Sequence, residues 1–160
     1  MTESEHSNIN IPIISLIISY IITFSIAAFK GLTLKRSLLA FIVGSGLGFI
    51  IGGLGHIFSP TIVAEGIGWP VSPYFQYEVG IANIMVGVLC IGTIFFNDDW
   101  ILASIVAMTI WGYGNMIGHL ISFFNDGNKN PGNIGWVLYL STLTPIIGII
   151  LFILYKYNES

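Results

Sequence analysis

The sequence contains very little charge. Only 8% of its 160 residues are Asp, Glu, Lys or Arg, whereas about a quarter of a typical soluble domain is charged. Hydrophobic residues make up 54% of the chain, and the mean hydropathy is +0.86. This composition excludes an ordinary water-soluble fold. The few basic residues form no patch, which argues against nucleic acid as a partner.

Cysteine and the common catalytic motifs are nearly absent. The single cysteine, Cys90, has no partner for an intrachain disulfide. The chain has no P-loop, nucleophile elbow or dinucleotide-binding fingerprint, and its predicted spans contain no paired metal ligands of the His-x-x-x-His or Glu-x-x-His type. We therefore favour a non-enzymatic protein over an enzyme, and we expect no cofactor.

Long apolar runs are what the sequence does contain. At roughly 20 apolar residues per span, a chain of this length has room for about five membrane helices. We predict an all-α integral membrane bundle in a single domain, residues 1–160, with a short outside tail over residues 1–10. The predicted spans are 11–29, 37–58, 73–96, 100–124 and 134–155, with Ser72 and Asn133 as helix N-caps.

The basic residues lie mostly on one side of these spans. Lys30, Lys35 and Arg36 lie between the first two runs and Lys156 lies in the C-terminal tail, whereas Lys129 is alone on the opposite side. By the positive-inside rule, the N-terminus is outside and the C-terminus is cytoplasmic. The predicted location is the cell membrane, as a multi-pass protein in contact with the lipid bilayer.

Two segments at the outer ends of their runs resemble each other. Residues 55–59 read Gly-His-Ile-Phe-Ser and residues 118–122 read Gly-His-Leu-Ile-Ser. This likeness suggests a duplicated two-helix unit preceded by an extra first helix, an arrangement that occurs in transport folds. It also places His56 and His119 at a similar depth near the outer surface. Glu78 lies near the outer end of its own apolar run.

Polar groups are expensive in lipid and usually face the bundle interior or a watery cavity. We therefore predict an outward-facing polar pocket with Glu65 and Trp69 near its mouth, lined by His56, Gln76, Glu78, Asn83, Asn115 and His119. Glycines beside these residues favour close helix packing. Glu78 lies about 140° around its helix from Asn83, which leaves open whether it faces the pocket or another helix. The loop over residues 59–72 is either a lid or an interfacial loop anchored by tryptophan, and we favour the loop.

Three functions compete for this pocket. The leading hypothesis is a membrane protein that binds or transports a small polar solute. The second is a membrane enzyme that uses His56 and His119 to hold a haem, or these two with Glu78 to hold a divalent metal. The third is a structural subunit of a membrane complex, and a homo-oligomer is compatible with each of them.

The sequence also resembles a known family. The residues that carry the resemblance are Gly68-Trp69-Pro70-x-Ser72-Pro73-x-Phe75-Gln76-x-Glu78-x-Gly80-x-Ala82-Asn83, then Gly114-Asn115-x-x-Gly118-His119, then Asn130-Pro131-Gly132-Asn133-x-Gly135. This pattern, within about residues 40–155, is similar to that of small prokaryotic membrane proteins described only as a domain of unknown function. The resemblance implies that Gln76, Glu78, Asn83, His119 and the Asn-Pro-Gly-Asn loop belong to the family pattern, and it implies no activity.

Overall fold

Residues 3–159 form seven helices joined by short connections. The computed structural model describes the backbone of residues 3–159 and the side chains of residues 13–158. The helices are α1 (Glu3–Phe29), α2 (Leu34–Phe58), α3 (Pro60–Ile67), α4 (Pro73–Gly92), α5 (Asp98–Asp126), α6 (Pro131–Ile134) and α7 (Trp136–Glu159). Residues 3–159 contain no strand, and the predicted all-α class is confirmed.

Four regions of the described part of the chain are long and apolar enough to cross a membrane. They are α2, α4, α5 and the segment Pro131–Asn158, which contains α6 and most of α7. Within the described side chains, α1 contributes a shorter apolar stretch, Ile13–Phe29. Hydrocarbon about 30 Å thick requires about 20 residues of helix, which α4 provides with its 20 residues. The four long apolar helices suggest a membrane-embedded protein.

Several helix boundaries differ from those predicted. The third predicted helix ends at Gly92, because the backbone beyond it tightens into turns such as the one between Thr93 N–H and the Cys90 carbonyl (3.3 Å). The segment predicted as a loop contains α3, which begins at Pro60 and ends at Ile67, followed by Gly68 as its C-cap with φ +79°. A left-handed residue of this kind is the usual helix terminator.

One predicted helix cap is wrong. Asn133 does not cap the last long helix, because it lies inside the short helix α6, whose N-cap is Asn130. The Asn130 side chain accepts a hydrogen bond from the backbone N–H of Gly132 (3.0 Å). Ser72 does precede α4 as predicted, but its side chain makes no capping hydrogen bond.

The long helices alternate in direction around an apolar core. Each of α2 and α5 packs against both α4 and α7, and α1 packs along the outside of α2. The core joins the beginnings of α2 and α5 to the ends of α4 and α7, through Leu38, Phe41, Ile42, Val86, Cys90, Ile101, Ile105, Met108 and Tyr155. This cluster occupies the end of the bundle that carries most of the basic residues. The polar side chains of the predicted pocket therefore belong to the opposite end.

Glycine allows α2 and α4 to touch along their backbones. A Cβ added at Gly53 would lie 2.6 Å from the Gly80 carbonyl oxygen, and one added at Gly80 would lie 2.8 Å from the Gly53 oxygen. Gly46 and Gly87 form an equivalent pair further along, with Cβ-to-oxygen distances of 2.9 and 2.7 Å. Small residues at such spacing are typical of helices that pack closely in membranes.

A second set of glycines on α2 faces α1. Added Cβ atoms at Gly44 and Gly48 would lie 2.5 and 2.6 Å from side-chain atoms of Tyr20 and Leu16, respectively. The Tyr20 hydroxyl is also hydrogen-bonded to the Ser45 hydroxyl (2.9 Å). Gly44 and Gly48 therefore allow α1 to pack closely against α2.

Asp98 links three helices at the basic end of the bundle. Its carboxylate accepts hydrogen bonds from the Tyr155 hydroxyl (2.8 Å), Lys156 Nζ (2.7 Å) and Lys35 Nζ (3.2 Å). The side chains of both lysines are close to half exposed, and exposed ion pairs contribute little because water and salt screen them.

We expect Asp98→Asn to lower the free energy of unfolding by about 1 kcal/mol at low salt, and by less at high salt. The neutral amide keeps some hydrogen bonding but loses the attraction to both lysines. Thermal unfolding in detergent at low and high ionic strength measures the effect. Asp99→Asn, at the exposed neighbouring carboxylate, is the control. Equal destabilisation at both salt concentrations would contradict an electrostatic role.

Candidate functional site

The most buried polar contact joins α5 to α6 at the end opposite the core. The His119 Nδ1 atom lies 2.8 Å from Asn133 Oδ1. Asn133 is 0% exposed and His119 is 4% exposed. The Asn133 amide nitrogen also donates to the backbone carbonyls of His119 (3.1 Å) and Asn128 (3.0 Å). One fully buried asparagine side chain thus makes three hydrogen bonds.

These contacts determine which ring nitrogen of His119 carries a proton. Both carbonyl partners can only accept, so they require the NH₂ group of Asn133 and orient its Oδ1 towards His119. An amide oxygen can only accept as well, so His119 Nδ1 must carry the donated hydrogen. In the neutral ring, Nε2 is then the nitrogen with a free lone pair.

A cap covers His119. The cap consists of α3 with Gly68 and Trp69, together with residues 128–134. The Trp69 ring stacks on the His119 ring with 5.2 Å between centroids, and its indole N–H donates to the Ser122 hydroxyl (3.1 Å). The Asn128 amide nitrogen donates to the Ile67 carbonyl (3.0 Å), and this bond joins the two parts of the cap.

Glycine is required where the two parts of the cap meet. A Cβ at Gly132 would lie 2.1 Å from the Gly66 carbonyl oxygen, which leaves no space for any side chain. Gly68 has φ +79°, and a Cβ there would lie 2.9 Å from Asn128 Oδ1. The glycines of the Gly-Trp-Pro and Asn-Pro-Gly-Asn segments therefore allow the two segments to touch.

His56 makes a similar contact between α2 and α4. Its Nδ1 lies 2.6 Å from the amide oxygen of Gln76, and Gln76 is 1% exposed. With the Gln76 amide oxygen as the partner, that oxygen accepts and the imidazole Nδ1 donates. Deeper in the bundle, the Trp111 indole N–H donates to the Asn83 amide oxygen (3.0 Å).

The two histidines occupy equivalent places in two similar helical units. In α2–α3–α4, a long helix ends near His56, and a short helix with a proline in its first turn precedes the next long helix. The unit α5–α6–α7 has the same order around His119, and α6 also has proline in its first turn. Each histidine is hydrogen-bonded through Nδ1 to a side-chain amide oxygen. For His56 this is Gln76, which follows the short helix α3, and for His119 it is Asn133, which lies within the short helix α6. This geometry supports the duplication that the two Gly-His segments suggested.

A match to a family model covers almost the whole of this architecture. The model is described as a family of unknown function, DUF6790, and it matches residues 9–160. The chain belongs to DUF6790. Comparisons with curated proteins and with solved structures give no match. The DUF6790 match also includes most of α1, which lay outside the resemblance at residues 40–155.

Not all of the predicted pocket residues of this DUF6790 chain come together. Glu78 is exposed on the outside of α4, and Glu65 is exposed on α3. Asn115 is half-buried, one turn before His119 on α5. Among the side chains of residues 13–158, no three His, Cys, Asp or Glu residues form a group that could hold a metal ion. His56, Glu78 and His119 are therefore not gathered into one ligand set.

Three residues that the structure places around His119 were absent from the predicted pocket. Asn133 was assigned to a helix cap, and Asn128 and Ser122 were not singled out as site residues. The signal for Ser122 was its place in the Gly-His-Leu-Ile-Ser segment. The signal for the asparagines was the polar composition of residues 125–133, which is typical of turns and so gave no indication of a buried contact.

Proposed function

We propose that this DUF6790 protein spans the membrane five times and binds a small polar solute at its outer end. Its N-terminus is outside and its C-terminus is cytoplasmic, as the distribution of basic residues indicates. With α1 as the additional span, the cap and both histidines lie at the outer surface. We call the polar side chains at this end of the bundle the polar layer. It consists of His56, Gln76, Asn83, Asn115 and His119, and Trp69 lies over it.

The orientation of the His119 ring carries the proposal. Its Nδ1 is engaged by Asn133, and every fully buried side-chain nitrogen or oxygen of the described residues has a hydrogen-bond partner. Nε2 is therefore the ring atom of His119 that keeps access to the surface. An oriented imidazole with a free lone pair is an acceptor for a solute N–H or O–H group. His56 presents the same acceptor, since Gln76 holds its Nδ1.

The contacts that hold the cap in place are few, and this supports reversible access of a solute to the polar layer. Within α3, Ala64 is the fully buried residue, so the short helix buries little apolar surface. Hydrogen bonds from Trp69 and Asn128 attach it instead, and each such bond contributes only about 1 kcal/mol net. We propose that α3 acts as a lid that opens while the long helices stay packed.

The segment from Trp69 to Asn83, which we call the Trp-Pro motif, contributes several different contacts to this site. Trp69 covers His119, Gln76 holds His56, Gly80 packs against Gly53, and Asn83 receives the Trp111 indole. We propose that the Trp-Pro motif indicates the presence of the cap and of the polar layer beneath it.

Native mass spectrometry of the purified full chain tests solute binding. We expect wild-type protein to carry a small polar molecule at close to one per chain. His119→Ala should lose about nine-tenths of it, because a lost hydrogen bond of about 1.4 kcal/mol weakens binding about tenfold. Asn125→Ala, at an exposed position in the last turn of α5, is the control and should keep the molecule.

The same samples distinguish the other hypotheses. Stoichiometric metal by elemental analysis, or a Soret absorption band that disappears in His56→Ala or His119→Ala, would replace solute binding with a metal or haem centre. A stable second polypeptide without a bound solute would indicate a subunit of a complex. Apo-protein in every preparation would contradict a tightly held solute.

Cysteine labelling tests the orientation. We expect Asn125→Cys to react with an impermeant maleimide in intact cells, whereas Ser160→Cys should react only after the cells are permeabilised. Native Cys90 is buried and should give a low background. Labelling of Ser160→Cys in intact cells would show that the orientation is reversed.

A further inference from the structure

Glu78 lies on a helix surface that none of the side chains of residues 13–158 covers. It is exposed on α4, about 8 Å from the start of that helix at 1.5 Å per residue. Exposed apolar side chains continue below it, among them Ile81 (46%) and Met85 (56%). A carboxylate at this position faces lipid, where an unpaired charge is costly.

The direction of the side chain brings this carboxylate towards the lipid headgroups. Side chains on an α-helix lean towards its N-terminus, and in the proposed orientation α4 begins at the outer surface. The ion pairs among the described residues both involve Asp98, at the other end of the bundle. A counter-charge for Glu78 must therefore come from outside the described chain.

The surroundings of Glu78 fit an amphiphile with a cationic head. A shallow groove on α4 is lined by Tyr77, Glu78, Ile81, Ala82 and Met85, so its upper end carries the charge and its lower part is apolar. Tyr77 is 54% exposed, and Tyr74, one turn above Glu78, is 87% exposed. Exposed aromatic rings attract ammonium groups through cation–π interactions.

We propose that this groove binds a lipid whose headgroup carries an ammonium group. The ammonium group pairs with the Glu78 carboxylate beside the two tyrosines, and an acyl chain lies along Ile81 and Met85. A lipid with an anionic headgroup and no ammonium group is disfavoured by repulsion from Glu78. The inference rests on the proposed insertion of α4 in the membrane and is independent of solute binding at His119.

Lipid retention in native mass spectra tests this proposal. The full chain in mild detergent is mixed with equal amounts of phosphatidylethanolamine and phosphatidylglycerol that have identical acyl chains. We expect wild-type protein to retain phosphatidylethanolamine about fivefold over phosphatidylglycerol, which corresponds to about 1 kcal/mol. Glu78→Gln, of nearly the same shape, should reduce the ratio to about one. Glu65→Gln, at an exposed carboxylate on α3, should leave it unchanged.

The remaining outcomes each overturn a defined part of the inference. Equal retention of both lipids by wild-type protein would refute headgroup selection while leaving α4 in the membrane. Retention of neither lipid would refute the membrane placement of α4 on which the inference rests. A dimer that dissociates in Glu78→Gln, with no change in lipid ratio, would show that a second copy covers this surface instead. Unfolding midpoints of both variants show whether they remain folded.

Discussion

Replacing Gly53 with alanine should lower the free energy of unfolding by about 2 kcal/mol, within the usual range for overpacking. The added Cβ would lie 2.6 Å from the Gly80 carbonyl oxygen and 2.8 Å from an Ile84 side-chain carbon. The carbonyl belongs to the backbone of α4, so it cannot move aside as a flexible side chain could. The two helices must therefore separate along their closest contact.

Gly55→Ala provides a matched control on the same helix. A Cβ at Gly55 would meet only a Val63 methyl at 3.9 Å, an ordinary contact distance. Because alanine is the better helix former by about 1 kcal/mol, this variant should be as stable as the wild type or more stable. Thermal unfolding of the purified proteins in detergent measures both effects. Equal midpoints for the two variants would show that α2 and α4 are not held at the observed separation.

The long helices could be predicted from the sequence because their apolar runs are long and their ends carry recognisable residues. The start of α4 at Pro73 and the end of α2 at Phe58 follow from the prolines and polar residues around them. The end of α4 at Gly92 could not be predicted in this way. Residues 93–96, Thr-Ile-Phe-Phe, are as apolar as the helix, so composition alone does not show where the backbone begins to turn.

The hydrogen-bond partners of the polar residues were harder to predict from the sequence than the depth of these residues in the membrane. His56, Gln76, His119 and Asn83 were all selected because polar groups in apolar runs tend to face inward, and the structure gives each of them a hydrogen-bond partner. Glu78 was selected by the same argument but faces outward. Glu78 lies about 140° around the helix from Asn83, which already indicated a different direction. The depth of a residue in the membrane does not show which way its side chain points.

The cap shows a different difficulty. Asn128 and Asn133 lie in a segment rich in Asn, Gly and Pro, a composition that predicts an exposed turn. The structure buries Asn133 completely, because the segment folds back over α5 and meets α3, which lies more than sixty residues earlier in the chain. A contact of this kind depends on how two distant segments meet, and local composition contains no information about that.

Replacing Asn133 with leucine should be the most damaging single change in the site. It removes an acceptor for His119 Nδ1 and a donor to the carbonyls of His119 and Asn128, at a position that is 0% exposed. Leaving a buried polar group without a partner costs about 1 to 3 kcal/mol, so we expect a loss of about 4 kcal/mol in the free energy of unfolding. Asn125→Leu, at an exposed position in the last turn of α5, should cost less than about 0.5 kcal/mol.

Nitrogen-15 spectra of histidine-labelled protein test the same contact without relying on stability. In wild-type protein above the pKa of the ring, His119 Nε2 should resonate as an unprotonated nitrogen, because Asn133 Oδ1 requires the hydrogen on Nδ1. In Asn133→Leu that requirement disappears, and the hydrogen should redistribute to Nε2, the form that free imidazole side chains prefer. An unprotonated Nδ1 in the wild type would contradict the assigned hydrogen bond. It would also remove the free Nε2 acceptor on which solute binding at His119 depends.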